Sequence, residues 1–374
     1  LPGGAASRAL TPLFDGDGNP LPTEKNNGTW RADNSGGLYP ETIWEDSCSR
    51  DQYVGWVVGF AALWEVIALD PTIDDGLKAR IQADAADLAR SLMAVGDQGY
   101  DLEIHDADGR ITYHGFMHEN ALERTYIEGM SNGFHAFLAL GIVTGLAYVA
   151  EEPDIDAYLV DELILRRDLP GISRMYASQM DMGVSTNFSN YNMLFAGGWL
   201  ASRYQCDAPT RATVNETLQF ALYNRDGRSR QPAEQGQTLY DFVYVAARAD
   251  GTAWQPLGTD VDEGAVDRGL ATLQEFWDAP FWELPRINCD ASELADGACV
   301  AVDGAALITP LPNTGHNDEV LAEAPLPMRI RPASNYYWRS NPYRINGNAD
   351  GSRLLPGVDF RFAYWMGRWV LRGE

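Results

Sequence analysis

From residue 50 onward, stretches that are apolar almost all round alternate with stretches that are apolar on one face only. The first, Val54-Gly55-Trp56-Val57-Val58-Gly59-Phe60-Ala61-Ala62-Leu63-Trp64, follows the polar knot Glu45 to Tyr53 and predicts a helix to about Leu69, stopped by Asp70-Pro71. Ser49 suits its N-cap, and Asp51 suits the positive end of its dipole. A helix apolar on every side is expected to be buried on every side. An amphipathic helix follows from about Asp74 to Val95, with Leu77, Ile81, Ala85, Leu88 and Leu92 at helical spacing. Residues 100–114 alternate around Asp108-Gly109, which predicts a hairpin. The inner-then-outer pattern recurs: Ala136 to Ala150 then Ile155 to Arg167, and Ser189 to Tyr204 then Pro209 to Asn224. A fourth inner segment runs from Gln237 to about Ala249, followed by a helix from about Glu263 to Trp277. Residues 278–355 are rich in proline and short of any period, and Val358 to Leu371 predicts a buried closing helix.

No βαβ signal interrupts this series, so the expected fold is mainly α: an α/α toroid of helical hairpins with a small β-hairpin and long loops. Residues 1–44 read as an irregular arm rich in Gly, Pro, Asn and Asp, and 45–374 as one domain. No stretch is expected to reach the roughly 18 consecutive apolar residues of a membrane span.

With 53 acidic against 28 basic residues and a net charge of -25, the chain is a poor match for nucleic acid or an anionic membrane surface. Of its four cysteines, Cys289 and Cys299 bracket a polar loop of the kind a disulfide closes, and Cys48 with Cys206 is the expected longer bridge. Disulfides and an acidic surface point to a secreted or periplasmic protein. Asp15-Gly16-Asp17-Gly18-Asn19-Pro20 alternates oxygen ligands as calcium loops do, but lacks their closing glutamate. A plain turn accounts for it equally. No cofactor is required, and a structural calcium is left open. His114 and His118 have metal-ligand spacing only on a helix, whereas His114 falls at a predicted strand end, so no metal centre is expected. Neither a G-x-S-x-G elbow nor a phosphate loop is present.

The chemistry gathers at the N-terminal mouths of the inner helices. These offer Arg50, Asp51 and Gln52, then Asn132 and His135, then Asn190, Tyr191 and Asn192, then Tyr240. The loop before the last helix adds Tyr337, Trp338, Arg339 and Arg344. Aromatic faces stack on sugar rings while amides, guanidinium groups and carboxylates take the hydroxyls, so a polysaccharide or oligosaccharide is the expected partner. Each residue also has a plainer reading. Asp51 answers a helix dipole, His135 between Phe134 and Phe137 suits a core histidine, and Asn190 and Asn192 suit a helix start.

At the level of helix pattern, over roughly residues 45–374, the chain resembles the α/α-toroid carbohydrate-active enzymes, the polysaccharide lyases and glycoside hydrolases. Asn187-Phe188-Ser189-Asn190-Tyr191-Asn192 is similar to the Asn-rich, aromatic segment that opens an inner helix in alginate-lyase-like toroids, without the histidine such segments carry. The resemblance implies β-elimination on a uronate glycan. Asn190, Asn192 and Arg339 would neutralise the carboxylate, with His135 and Tyr191 as base and acid. Arg50, Gln52, Asn132, Tyr240, Tyr337, Trp338 and Arg344 would bind substrate. The alternatives are a glycoside hydrolase using two carboxylates, drawn from Asp51, Glu45, Glu128 and Asp241, and a glycan-binding protein without catalysis.

Overall fold

The computed structural model describes residues 10–12, 28–32, 42–225, 230–248, 262–279, 282, 284–332, 341–352 and 358–371. Mainly helical, with small sheets, the chain divides into two compact units. One comprises Leu1–Ala177 with Ala196–Thr213, the other Ser178–Phe195 with Val214–Glu374.

The first unit opens with three short strands, β1 (Leu10–Pro12), β2 (Trp30–Ala32) and β3 (Thr42–Glu45), paired antiparallel in the order β1-β3-β2. Helices α1 (Arg50–Ile67) and α2 (Asp75–Met93) follow. Next come the expected hairpin, β4 (Glu103–His105) with β5 (Ile111–Phe116), and a two-residue ladder, β6 (Ala121–Leu122) with β7 (Thr125–Tyr126). Helix α3 (Gly133–Ala150) is buried along its length except at Tyr148. By length and composition it could cross a membrane, contrary to the expectation from sequence, but 94% of it is buried in the folded chain, as in a core helix.

Helix α4 (Pro153–Ala157) widens into a π-helical stretch, Tyr158–Arg166, before α5 (Leu169–Tyr176), a helix the sequence pattern did not predict. Helix α1 departs from expectation. Gly55, Gly59, Leu63 and Val66 form an exposed stripe along it, so an all-apolar sequence is not covered on every side here.

Helix α6 (Phe188–Tyr204) begins in the second unit and ends in the first, and α7 (Ala208–Glu216), continued by the π-helical Thr217–Tyr223, returns the chain. Within the first unit α3 and α6 cross at two glycines, where a Cβ on Gly141 would lie 2.1 Å from the Gly197 carbonyl oxygen. Backbone cannot yield as a side chain can, so this crossing requires glycine.

The second unit contains α8 (Thr238–Arg248), α9 (Glu263–Glu275) and α10 (Val358–Val370). They close on the buried Phe242 ring, which Gly269 of α9 and Gly367 of α10 approach from two sides. Helix α10 is amphipathic rather than buried, with Trp365 exposed and Ala363, Met366 and Val370 inside. In the loop-rich segment β8 (Cys299–Val300) pairs with β9 (Leu307–Ile308), and Cys289–Cys299 forms a disulfide. That bond sits in a small core with Ala301, Ile308, Leu326, Ile330 and Ile345, and it is consistent with an extracellular location. The longer bridge is absent: Cys48 is a buried thiol against the Ser49 carbonyl, and Cys206 is exposed.

Candidate functional site

In the first unit the mouths of α1 and α3 are tightly bonded. The Ser49 N–H donates to Gln52 Oε1 (3.0 Å), and the Ser49 hydroxyl donates to Asp51, so Gln52 serves the capping box. Asn132 caps α3 by accepting the His135 N–H (3.1 Å) and donates to the Ala121 carbonyl (2.8 Å). Both ring nitrogens of the buried His135 are engaged. Nδ1 lies 3.3 Å from the His118 carbonyl and Nε2 lies 3.2 Å from Arg50 Nη1. A carbonyl only accepts and a guanidinium only donates, so this network assigns the proton to Nδ1. Burial, and then the Arg50 charge, hold His135 well below the usual histidine range, and the ring is neutral. Arg50 also donates to the Phe116 carbonyl (3.3 Å) and lies over the Phe134 ring.

Deeper in this unit lies an ionic cluster. Arg167 donates to both oxygens of Asp101 (2.8 and 2.9 Å) and to Glu119 (2.9 Å), while the Tyr158 hydroxyl donates to Asp101 (2.6 Å). Nine residues span roughly two and a half turns of α-helix and would put Tyr158 and Arg167 on opposite faces. The longer i→i+5 repeat of the π-helix brings both onto Asp101. His118 lies beside the pair, its Nδ1 accepting the Asn120 N–H (3.0 Å), and burial lowers its pKa. His114 is in β5, as expected, and shares no helix face with His118.

Asp46, Asp106 and Asp108 stand close enough together to hold a cation, but Arg31 already bonds Asp46 and Asp108, and Arg110 bonds Asp106. The Asp106–Gly109 segment is a turn in which Asp106 Oδ1 accepts the N–H groups of Asp108 and Arg110 (2.9 Å each). Asp350 likewise accepts the Ser352 N–H. The calcium-like run at Asp15–Pro20 lies outside the described residues.

The second unit holds the richer constellation. The buried Tyr191 hydroxyl donates to Asp181 Oδ2 (2.9 Å) and accepts from Arg225 Nη1 (2.9 Å), and Arg225 and Asp181 are themselves ion-paired. Burial and the Asp181 charge raise the Tyr191 pKa, so the phenol keeps its proton at rest. Burial alone would raise Asp181, but Arg225, the Gly183 N–H and the Thr186 hydroxyl hold it below the usual range, and it is ionised. Tyr240 donates to Asn192 and stacks on Phe195 (4.1 Å between centroids), so these two expected site residues tie α8 to the start of α6.

Asn190, in the first turn of α6, is half-buried. Arg230 lies 3.9 Å over the Tyr343 ring, and the buried Arg331 donates to the Leu326 and Gln235 carbonyls. Arg344 is fixed in its loop by Asn346 and Asn348. Tyr337, Trp338 and Arg339 lie outside the described residues.

Asp181, Arg225, Arg230 and Arg331 were not picked out from sequence. A signal existed for two of them: Arg225-Asp-Gly-Arg-Ser-Arg230 concentrates arginine in a chain with few basic residues. Asp181 and Arg331 carry none, being brought in by the loops.

Asp241, on α8, is buried with Oδ1 accepting the Tyr223 hydroxyl and Oδ2 unpartnered. Burial, opposed by the Tyr223 bond and Arg268, pushes its carboxyl up to about 7. The folded state therefore holds a proton that the unfolded chain releases near pH 4, and stability should fall between pH 4 and 7 by on the order of a few kcal/mol. Asp241→Asn keeps the Tyr223 acceptor and should remove that slope, becoming more stable than the wild type above pH 7. Urea midpoints of both proteins at pH 5 and pH 8 check this, and parallel pH dependence would contradict it.

No protein family model, curated protein or solved structure matches the chain.

Proposed function

We propose that the protein is a secreted or periplasmic enzyme that cleaves a uronate-containing polysaccharide by β-elimination on an α/α-toroid scaffold. The scaffold reading draws on burial: α3 and the middle of α6 are enclosed, and each is followed by a more exposed helix. The observation that carries the function is the Tyr191 hydroxyl held between Arg225 and Asp181. Arg230 is close enough for Asp181 to act on it, and the patch is more cationic than a chain of net charge -25 leads one to expect. Guanidinium groups neutralise a uronate carboxylate and make its C5 proton removable.

The triad can then carry the proton. Tyr191 holds its proton at rest and Asp181 is ionised, so the phenol oxygen itself serves as acid and base. It gives its proton to the leaving oxygen as the C4–O bond breaks, and the C5–H electron pair forms the C4–C5 double bond. The same oxygen, steadied as a phenolate by Arg225, takes the C5 proton. His135, with both nitrogens engaged, positions Arg50 rather than moving a proton.

Asp241 favours a second reading. A carboxyl protonated near neutrality is what a glycoside hydrolase uses as its general acid. A panel of uronate-containing and neutral polysaccharides, followed by ultraviolet absorbance and reducing ends together, separates the two. Elimination gives both signals and hydrolysis gives reducing ends alone. A folded protein that gives neither is no glycan-cleaving enzyme on that panel, and the binding reading replaces both.

A further inference from the structure

Several of the buried side-chain atoms that lack a hydrogen-bond partner gather at the N-terminus of α8. They are Gln235 Oε1, Gln237 Nε2, Thr238 Oγ1 and Arg331 Nη1, on residues between 0% and 3% exposed. A buried polar group left alone forfeits its hydration with nothing in return, and native proteins keep few of them. Four of these atoms fall on residues that open one helix or bond to the segment that opens it.

Arg331 is fixed against this end. Its Nε donates to the Leu326 carbonyl (2.8 Å), and its Nη2 donates to the carbonyls of Gln235 (2.6 Å) and Gly236 (3.3 Å). Nη1, on the same planar group, is therefore held beside the segment that opens the helix. Among the described residues no carboxylate pairs with Arg331, and Glu275 acts on it only at longer range. Burial lowers its pKa to about 10, which leaves it charged at neutral pH. Helix α8 begins two residues after Gly236, so its positive pole and first N–H groups lie at this same end. A buried cation, two further donors and a helix N-terminus together describe an anion's surroundings.

We propose that the N-terminus of α8 is a subsite for an oxyanion carried on a sugar, a carboxylate or a sulfate ester. Arg331, Gln237 and Thr238 donate to its oxygens, and Gln235 Oε1 accepts from a neighbouring hydroxyl. That the carrier is a glycan rests on the function proposed above; the anion site itself does not.

The test is calorimetric titration of the full chain with inorganic sulfate and with glucuronate, alongside Thr238→Val and Gln237→Met. Saturable binding of at least one is expected, and the tighter of the two identifies the group. Thr238→Val keeps the side-chain shape but removes the unpartnered hydroxyl. Its ligand-free unfolding midpoint should hold or rise, while anion affinity falls about tenfold. A site filled only by trapped water would show no saturable binding, and an anion bound elsewhere would ignore both substitutions; either result overturns the proposal. Binding that persists, and weakens in both variants, in a chain without eliminase activity would keep the subsite and discard the lyase reading.

Discussion

Tyr191→Phe should abolish most of the eliminase activity, lowering kcat by about 100- to 10,000-fold while leaving the fold intact. The substitution removes one oxygen from a ring that stays in place between Phe188 and Tyr240. Arg225 and Asp181 remain paired with each other, so no charge is stranded. KM should change little, because the arginines that attract a uronate are untouched. The check is initial rate by ultraviolet absorbance for both proteins, with circular dichroism to show equal folding. Activity within about threefold of wild type would remove Tyr191 from the mechanism. A drop in reducing-end release by Asp241→Asn instead, with no ultraviolet signal from the parent protein, would move the chemistry to α8.

How far sequence could go is clearest from particular residues. Helix positions followed from periodicity because the signal is local: α1, α3, α6, α8 and α10 lie close to where the apolar runs put them. Tyr191, Asn192 and Tyr240 could be picked out because they open such helices, and the structure joins them. Coverage was less legible. Gly55 and Leu63 are as apolar as their neighbours, and only the placement of other elements decides that α1 leaves that stripe open. The partners of Tyr191 were harder to see for a related reason, since Asp181 and Arg225 reach it from flanking segments with no periodicity, and only the arginine-rich run from Arg225 hinted at one of them. The π-helical turn hid the contacts of Arg167, because a 3.6-residue reading sends that side chain to the wrong face.

Arg167 carries the second large effect. Arg167→Met should destabilise the protein by about 3–5 kcal/mol at pH 7, the range for removing one partner of a buried ion pair. Asp101 and Glu119 are both buried and take their charge-paired hydrogen bonds from this one guanidinium. His118 does not replace it, since burial keeps the imidazole neutral. Methionine fills much of the volume, so the loss reports on charge rather than on a cavity. The control follows from the same account: adding Asp101→Asn and Glu119→Gln to Arg167→Met removes both stranded charges and should recover most of the stability. Tyr158 keeps an acceptor in that variant, because its hydroxyl can bond the amide oxygen that replaces the Asp101 carboxylate. Urea unfolding of the wild type, the single variant and the triple variant measures this, read by probes in each unit because two units need not unfold together. A single variant that loses under about 1 kcal/mol would mean that the cluster behaves like a solvated surface pair. A triple variant no better than the single one would assign the cost to lost packing around the guanidinium, and the π-helical turn would then matter for shape rather than for charge.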